Sequence, residues 1–218
     1  MLLDGCTESE TRLCNRFAHA LVRSAASVIA RERPAALYLF RPDEHDDAVI
    51  SDQSVSELLH VYRRELGRFD VVVDAVGRQN GRIALLVWRR RLVSDVLEDA
   101  RVRRFLASLG YRHLDTESLM HQLKGRLGSY YEAREQGAQH ASFPHEVGLV
   151  LGYPLDDVVG FMEGGCETCH GRWRCYGDAH AARRRFAHLA RVEQTCLERY
   201  RAGCQLRELF PEASRKHS

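Results

Sequence analysis

Gln79-Asn80-Gly81 separates two runs rich in β-branched and apolar residues, FDVVVDAV (Phe69–Val76) and RIALLVW (Arg82–Trp88). Asn-Gly supplies the left-handed backbone that a two-residue hairpin turn demands, so this is the strongest short-range signal in the chain. The two runs are expected to pair antiparallel. A third short apolar run, AALYLF (Ala35–Phe40), follows Pro34 and also reads as a strand. A sheet of at least three strands is therefore expected.

Helical periodicity surrounds these strands. Thr7-Glu8-Ser9-Glu10 reads as a capping box. Behind it, Cys14, Phe17, Ala18, Leu21, Ala25 and Val28 fall on one helical face. The acidic stretch Asp43-Glu44-His45-Asp46-Asp47 reads as a loop. Ser51 to Leu66 is a helix with Val55, Leu58, Leu59, Tyr62 and Leu66 as its apolar stripe. From Leu92 onward the pattern is helical. Leu92, Val96 and Leu97 mark one short helix. Phe105, Leu106 and Leu109 mark another, stopped by Gly110, and Leu119, Met120, Leu123 and Leu127 mark a third. Gly128 to Phe143 is polar, holds two glycines and reads as a loop. A last long helix starts near Asp178 and buries Phe186, Leu189, Cys196 and Tyr200. The expectation is one α+β domain over residues 1–218, with a small antiparallel sheet containing the hairpin. Its helix-and-sheet half (1–90) and helical half (91–218) would share a single core, because no linker separates them.

Composition narrows the function classes. The formal net charge of +2 is too small to point to nucleic acid or an anionic membrane. No run reaches the apolar length of a bilayer span, and the N-terminus, with Asp4, Glu8 and Glu10, is not that of a secretory signal. The expected location is the cytoplasm, where thiols stay reduced. The seven cysteines are an odd number and form no secreted framework. No P-loop, dinucleotide-binding glycine pattern, GxSxG elbow or kinase motif set is present.

The segment FPHEVGLVLGYPLDDVVGFMEGG (Phe143–Gly165) and the subsequent CHGRWRCYGD resemble the bacterial family DUF3793, whose members read close to FPHEIGLFLGYPxEDVxGFI and then a GYWKVYGD-like tail. Phe143, Pro144, His145, Glu146, Gly148, Leu151, Gly152, Tyr153, Pro154, Asp157, Val158, Gly160 and Phe161 match the first pattern. Gly171, Trp173, Tyr176, Gly177 and Asp178 match the second. The resemblance implies a cytoplasmic bacterial protein associated with iron and with flavodoxin-type redox proteins.

The motifs carry several chemistries. Pro144–Gly152 and Leu155–Glu163 read as two short helices around a turn, with Gly152 left-handed and Pro154 opening the second. A DNA-reading helix there would present Asp156, Asp157 and Glu163 to phosphate, which argues against nucleic-acid binding. His145-Glu146 lacks the second histidine of a zinc protease, since Leu149 holds that position. The pair is a candidate for acid–base catalysis, or a dipole-complementing glutamate beside a packed histidine.

In GGCETCHGRWRCYGDAH (Gly164–His180), Cys166-Glu167-Thr168-Cys169-His170 satisfies the covalent haem motif literally. The expected compartment and the lack of an identified ligand for the opposite haem face argue against haem. Zinc or iron is the more physical expectation, with Cys166, Cys169, Cys175 and either His170 or His180 as ligands. Against that stand buried packing cysteines or a simple thiol switch. Arg172, Trp173, Arg174 and Tyr176, together with Tyr153, are candidates for stacking on a planar anionic small molecule such as a nucleotide, flavin or porphyrin. The alternative is a tryptophan that anchors the loop. Two functions are consistent with these motifs: a ligand- or metal-binding protein linked to iron and redox physiology, or a small enzyme using His145, Glu146 and a cysteine of 166–175.

Overall fold

The Asn-Gly turn forms as its chemistry demands, with φ of 51° at Asn80 and 71° at Gly81. The computed structural model describes residues 8–42 and 51–211. In it, strand β2 (Val71–Gln79) pairs antiparallel with β3 (Arg82–Arg89), from Gln79 opposite Arg82 to Val71 opposite Arg89. Strand β1 (Ala35–Phe40) takes the other edge of β3, also antiparallel, so the order is β1-β3-β2. The hairpin runs longer than expected, because Gly77 gives β2 an irregularity that restores pairing beyond Val76. Thr7 of the capping box and the acidic stretch 43–47 lie outside the described residues.

As the central strand, β3 is buried on both faces, and its side chains sort by the period of two. Ile83, Leu85 and Val87 enter one core; Ala84, Leu86 and Trp88 enter another. The first core is closed by α1 (Glu8–Ile29) and α2 (Asp52–Gly67), with Phe17 and Leu21 fully buried. Helix α8 (Ala179–Arg201) and the 3-10 turn Leu206–Leu209 return from the C-terminal half to pack on α1. The second core is closed by α3 (Arg90–Val96), α4 (Ala100–Ser108), α5 (Thr116–Glu135), α6 (Val147–Val150) and α7 (Leu155–Met162). The result is one α+β domain in three layers. In place of the single shared core expected from the sequence, the described residues form two large cores divided by the sheet and a small cluster around Trp173.

The α2 stripe is buried as its spacing predicts, and Ser51 caps the helix by accepting from the Ser54 amide at 3.1 Å. Helix α1 kinks at Ala25 (φ −126°, ψ 20°). Its last carbonyls are satisfied from β3. Buried Arg89 donates to Val28 O (2.6 Å), Ile29 O (2.8 Å) and Phe69 O (2.6 Å). Burial, with Arg31 nearby, brings the Arg89 pKa down to about 10, so it remains charged at neutral pH.

One expectation fails. Residues 128–135 are not loop but the second half of α5. Glycines weaken helix propensity, yet tertiary packing overrides it here. Gly128 faces the Val76 carbonyl, and Tyr131 lies so close over Gly77 that any Cβ at residue 77 would collide with its ring. No helix among the described residues is long and apolar enough to cross a membrane.

Candidate functional site

The segment from Phe143 to Asp178 folds as a clasp over one end of the sheet. Helix α6 is a single turn, ended by Gly152 at φ 81°, with the Tyr153 amide donating back to Gly148 O at 2.9 Å. Arg33, just before β1, holds this turn by donating from Nε to Leu151 O at 2.7 Å. Pro154 stands at the N-cap of α7, so the helical hairpin expected here forms. With α6 only four residues long and Asp157 turned inward, it lacks the two full helices of a DNA-reading motif.

Asp157 organises the loop that leaves α7. It is buried, and its two oxygens take three hydrogen bonds from that loop. Oδ2 accepts from the Trp173 indole Nε1 at 2.7 Å; Oδ1 accepts from the amides of Tyr176 (2.7 Å) and Gly177 (3.0 Å). The loop itself is a minimal hairpin in which β4 (Cys169–His170) pairs antiparallel with β5 (Arg174–Cys175). Thr168 closes its base through Oγ1 to Gly177 O at 2.9 Å. Tyr176 packs directly on Gly160 of α7, where a Cβ would collide with its side chain. Trp173 at the hairpin tip stacks on Tyr153 (centroids 4.7 Å apart, planes 23° apart) and meets Phe186 of α8 edge-on at 4.5 Å. The anchoring role weighed for Trp173 is therefore real.

Between β1, the α6–α7 hairpin and the β4–β5 hairpin lies a cavity of about 340 Å³. Leu37, Leu151, Val158, Phe161 and the rings of Tyr153 and Trp173 form most of its wall. His145 and Arg174, both exposed, stand on its rim. The His145 ring sits edge-on between Phe143 (5.4 Å) and Phe161 (4.7 Å), and the Arg174 guanidinium lies over Phe161 at 6.0 Å. Two neighbouring segments, the α6–α7 hairpin and the β4–β5 hairpin, thus bring His145, Tyr153, Trp173 and Arg174 to one hollow, which Leu37 of β1 also lines. Arg172 and Tyr176 do not line it: Arg172 is paired with Glu193 (2.5 Å), and Tyr176 faces Gly160.

Glu146 does not line this cavity; with His145 it borders a neighbouring, wider hollow of about 770 Å³ against α5. Its buried carboxylate accepts from Arg126 Nη1 at 2.7 Å and from the Tyr111 hydroxyl at 3.0 Å. Burial, and then the Glu146 charge, push the Tyr111 hydroxyl well above its ordinary pKa. Glu146 thereby ties the 143–152 segment to α5 and to the connection between α4 and α5, which suits fastening better than proton transfer. No cysteine lines the cavity either.

The cysteine segment is split by the hairpin. Cys166 is exposed before β4, Cys169 is half-buried and Cys175 is fully buried. Cys169 stands directly opposite Cys175 across the ladder. Burial first, and then Cys169 and the Asp157 charge, push the Cys175 thiol up to about 12. His170 Nδ1 faces Glu167 at 3.2 Å, and His180, in the first turn of α8, is engaged by Arg184. Among the described residues, no three His, Cys, Asp or Glu side chains converge as a metal-holding group.

Asp157 is the site residue that reading the sequence for chemistry misses. Beside Asp156 at a helix start it reads as a dipole-complementing carboxylate. Only the donors of residues 173–177 reveal its role.

The family model described as Protein of unknown function (DUF3793) matches residues 21–210. No curated protein and no solved structure matches the chain.

Proposed function

The chain belongs to the DUF3793 family, and we propose that its clasp is a binding site for a small, largely apolar planar molecule that carries an anionic group. One observation carries this reading. The 340 Å³ hollow is walled by stacked aromatic and aliphatic side chains and rimmed by a guanidinium and an imidazole. That volume lies within the range of small-ligand pockets, which pair an apolar lining with a few convergent polar groups. Tyr153 and Trp173 offer a preformed aromatic wall, so little side-chain ordering remains for the ligand to impose. Arg174 is exposed, meeting Glu167 at 3.7 Å and lying over Phe161 on the rim, from where its guanidinium can turn toward an anion. The thiols of the same hairpin support a redox setting for the site.

Titration with 8-anilinonaphthalene-1-sulfonate and with flavin mononucleotide tests the reading. Saturable one-to-one binding is expected for at least one probe. Arg174→Glu should weaken it about tenfold, the equivalent of ~1.4 kcal/mol. Arg183→Glu, an exposed charge reversal on α8, should leave it unchanged. Binding that does not saturate, or that is indifferent to Arg174→Glu, overturns the proposal.

A further inference from the structure

From the cross-strand geometry of the β4–β5 hairpin, we infer that Cys169 and Cys175 are a thiol–disulfide exchange site whose closure fixes the Trp173 wall of the cavity. The second half of this inference rests on the binding role proposed for that cavity. Directly opposed residues of an antiparallel pair have Cα atoms about 4.5–5.5 Å apart. That falls within the Cα separation of about 4.4–6.8 Å that disulfides span. Cys169 and Cys175 are such a pair, one directly opposite the other across the ladder. The sequence suggests a different pairing, Cys166 with Cys169, because a two-residue spacer is the familiar redox spacing. The fold does not favour it. Cys166 precedes the strand, while the turn at Gly171–Trp173 folds Cys175 back onto Cys169.

The two thiols have unequal environments, and this orders the chemistry. Cys175 is fully buried and donates to Trp173 O at 3.8 Å, so an external disulfide does not reach it first. Half-buried Cys169, whose thiol faces Ala179 O at 3.9 Å, is the one that reaches solvent. A small-molecule disulfide such as oxidised glutathione is the co-reactant. The Cys169 thiolate attacks one of its sulfurs, forming a mixed disulfide and releasing the first thiol. Cys175 then attacks the Cys169 sulfur and gives up its proton, and the second thiol leaves. One external disulfide becomes two thiols, and the two electrons and two protons come from Cys169 and Cys175.

The consequence reaches the cavity because the bond closes a loop whose tip is Trp173. In the reduced hairpin two residue pairs, the Asp157 bond to the indole and the Tyr153 and Phe186 rings hold that side chain, all without a covalent link between the strands. A covalent link between the strands restricts the loop further, and a wall fixed in its bound arrangement raises affinity.

The test uses the full chain. It is equilibrated over a series of reduced-to-oxidised glutathione ratios, quenched with an alkylating agent and peptide-mapped. 8-Anilinonaphthalene-1-sulfonate affinity is measured at both ends of the series. A reversible Cys169–Cys175 link, formed equally in Cys166→Ser and absent from Cys169→Ser, is expected, with affinity several-fold tighter when oxidised. The site is overturned if Cys175 stays free while Cys166 links to Cys169. It is also overturned if every thiol in the hairpin stays free, or if the purified protein carries stoichiometric zinc or iron on these thiols. The disulfide forming with equal probe affinity in both states refutes the coupling and spares the cavity. The disulfide forming with no probe bound in either state refutes the cavity and spares the exchange site.

Discussion

Replacing Asp157 with asparagine removes one oxygen and one charge and leaves the shape intact. The carboxylate accepts through Oδ1 from two amides and through Oδ2 from the Trp173 indole. Asparagine keeps its oxygen toward the amides and must turn its NH2 toward the indole N–H, so two donors face each other where a 2.7 Å bond stood. A buried donor left unpaired costs about 1–3 kcal/mol. The two remaining bonds also lose their charge assistance, which roughly doubles a bond's strength, adding about 1 kcal/mol. The expected loss is about 3 kcal/mol in total, from the sum of those two effects. Trp173→Phe removes the indole donor and so abolishes the donor–donor conflict. In that background Asp157→Asn should cost only the lost charge assistance, which makes the two substitutions non-additive by about 1–2 kcal/mol. Urea unfolding followed by far-ultraviolet circular dichroism gives the four stabilities of the cycle, provided the slope with denaturant is unchanged. Amide exchange at Tyr176 and Gly177 reports the same release locally. If the two substitutions add within about 0.5 kcal/mol, the indole–carboxylate bond is not what fastens the hairpin to α7.

The same geometry sets three further outcomes. Gly160→Ala places a methyl against Tyr176 and should destabilise by about 1–3 kcal/mol, as overpacking of a filled site does, with a shift in Trp173 fluorescence; an unchanged thermal midpoint would contradict the close approach. Arg89→Met keeps the buried stem and strips three carbonyls of their donor, at about 1–3 kcal/mol for each one left dry, so urea unfolding should show a severe loss and Arg89→Lys a partial recovery. Glu32 links the end of α1 to α8 through Arg185 (3.0 Å) and His188 (2.8 Å). Burial alone would raise its pKa, but the hydrogen bonds from His188 and Arg185 outweigh it and the net shift is below 4.5. Its contribution is therefore present above about pH 4.5 and lost as pH falls through the lower folded-state value. Glu32→Gln should reduce stability at pH 7 and flatten the acid limb of a stability–pH profile, and parallel profiles for the two proteins would refute the assignment.

The features legible in the sequence are those that depend on short-range periodicity. The hairpin turn, the three strands, the α2 stripe and the Gly152 stop are each set within a few residues. The second half of α5 is not legible, because what holds it, Gly128 against the Val76 carbonyl and Tyr131 over Gly77, lies on a strand far back in the chain. The candidate site is half legible. Tyr153, Trp173, Arg174 and His145 do meet, because the spacing of the helical hairpin and the tail is a local matter. Glu146 reads in the sequence as a reactive group because its partners, Tyr111 and Arg126, lie on other elements. The thiol pairing is hidden because a ladder of two residue pairs leaves no alternation to detect.

Most of the residues through which the chain resembles its family fasten the clasp, although His145, also among them, stands on the rim of the hollow. Glu146, Gly152, Asp157, Gly160, Trp173 and Tyr176 all belong to the resemblance, and each has a fastening role. They bind Arg126 and Tyr111, end α6, clasp the hairpin, admit Tyr176, or pack the tip. Arg174, Cys169 and Cys175 stand outside the matched pattern, and they supply the rim charge and the thiol pair. A frame built this way can hold the hollow open while its charge and redox character are set by a few positions on a two-residue hairpin. Affinity for an anionic probe should therefore track residue 174, and redox sensitivity residues 169 and 175. The fold itself should depend on Asp157, Gly160 and buried Cys175, and much less on exposed Arg174.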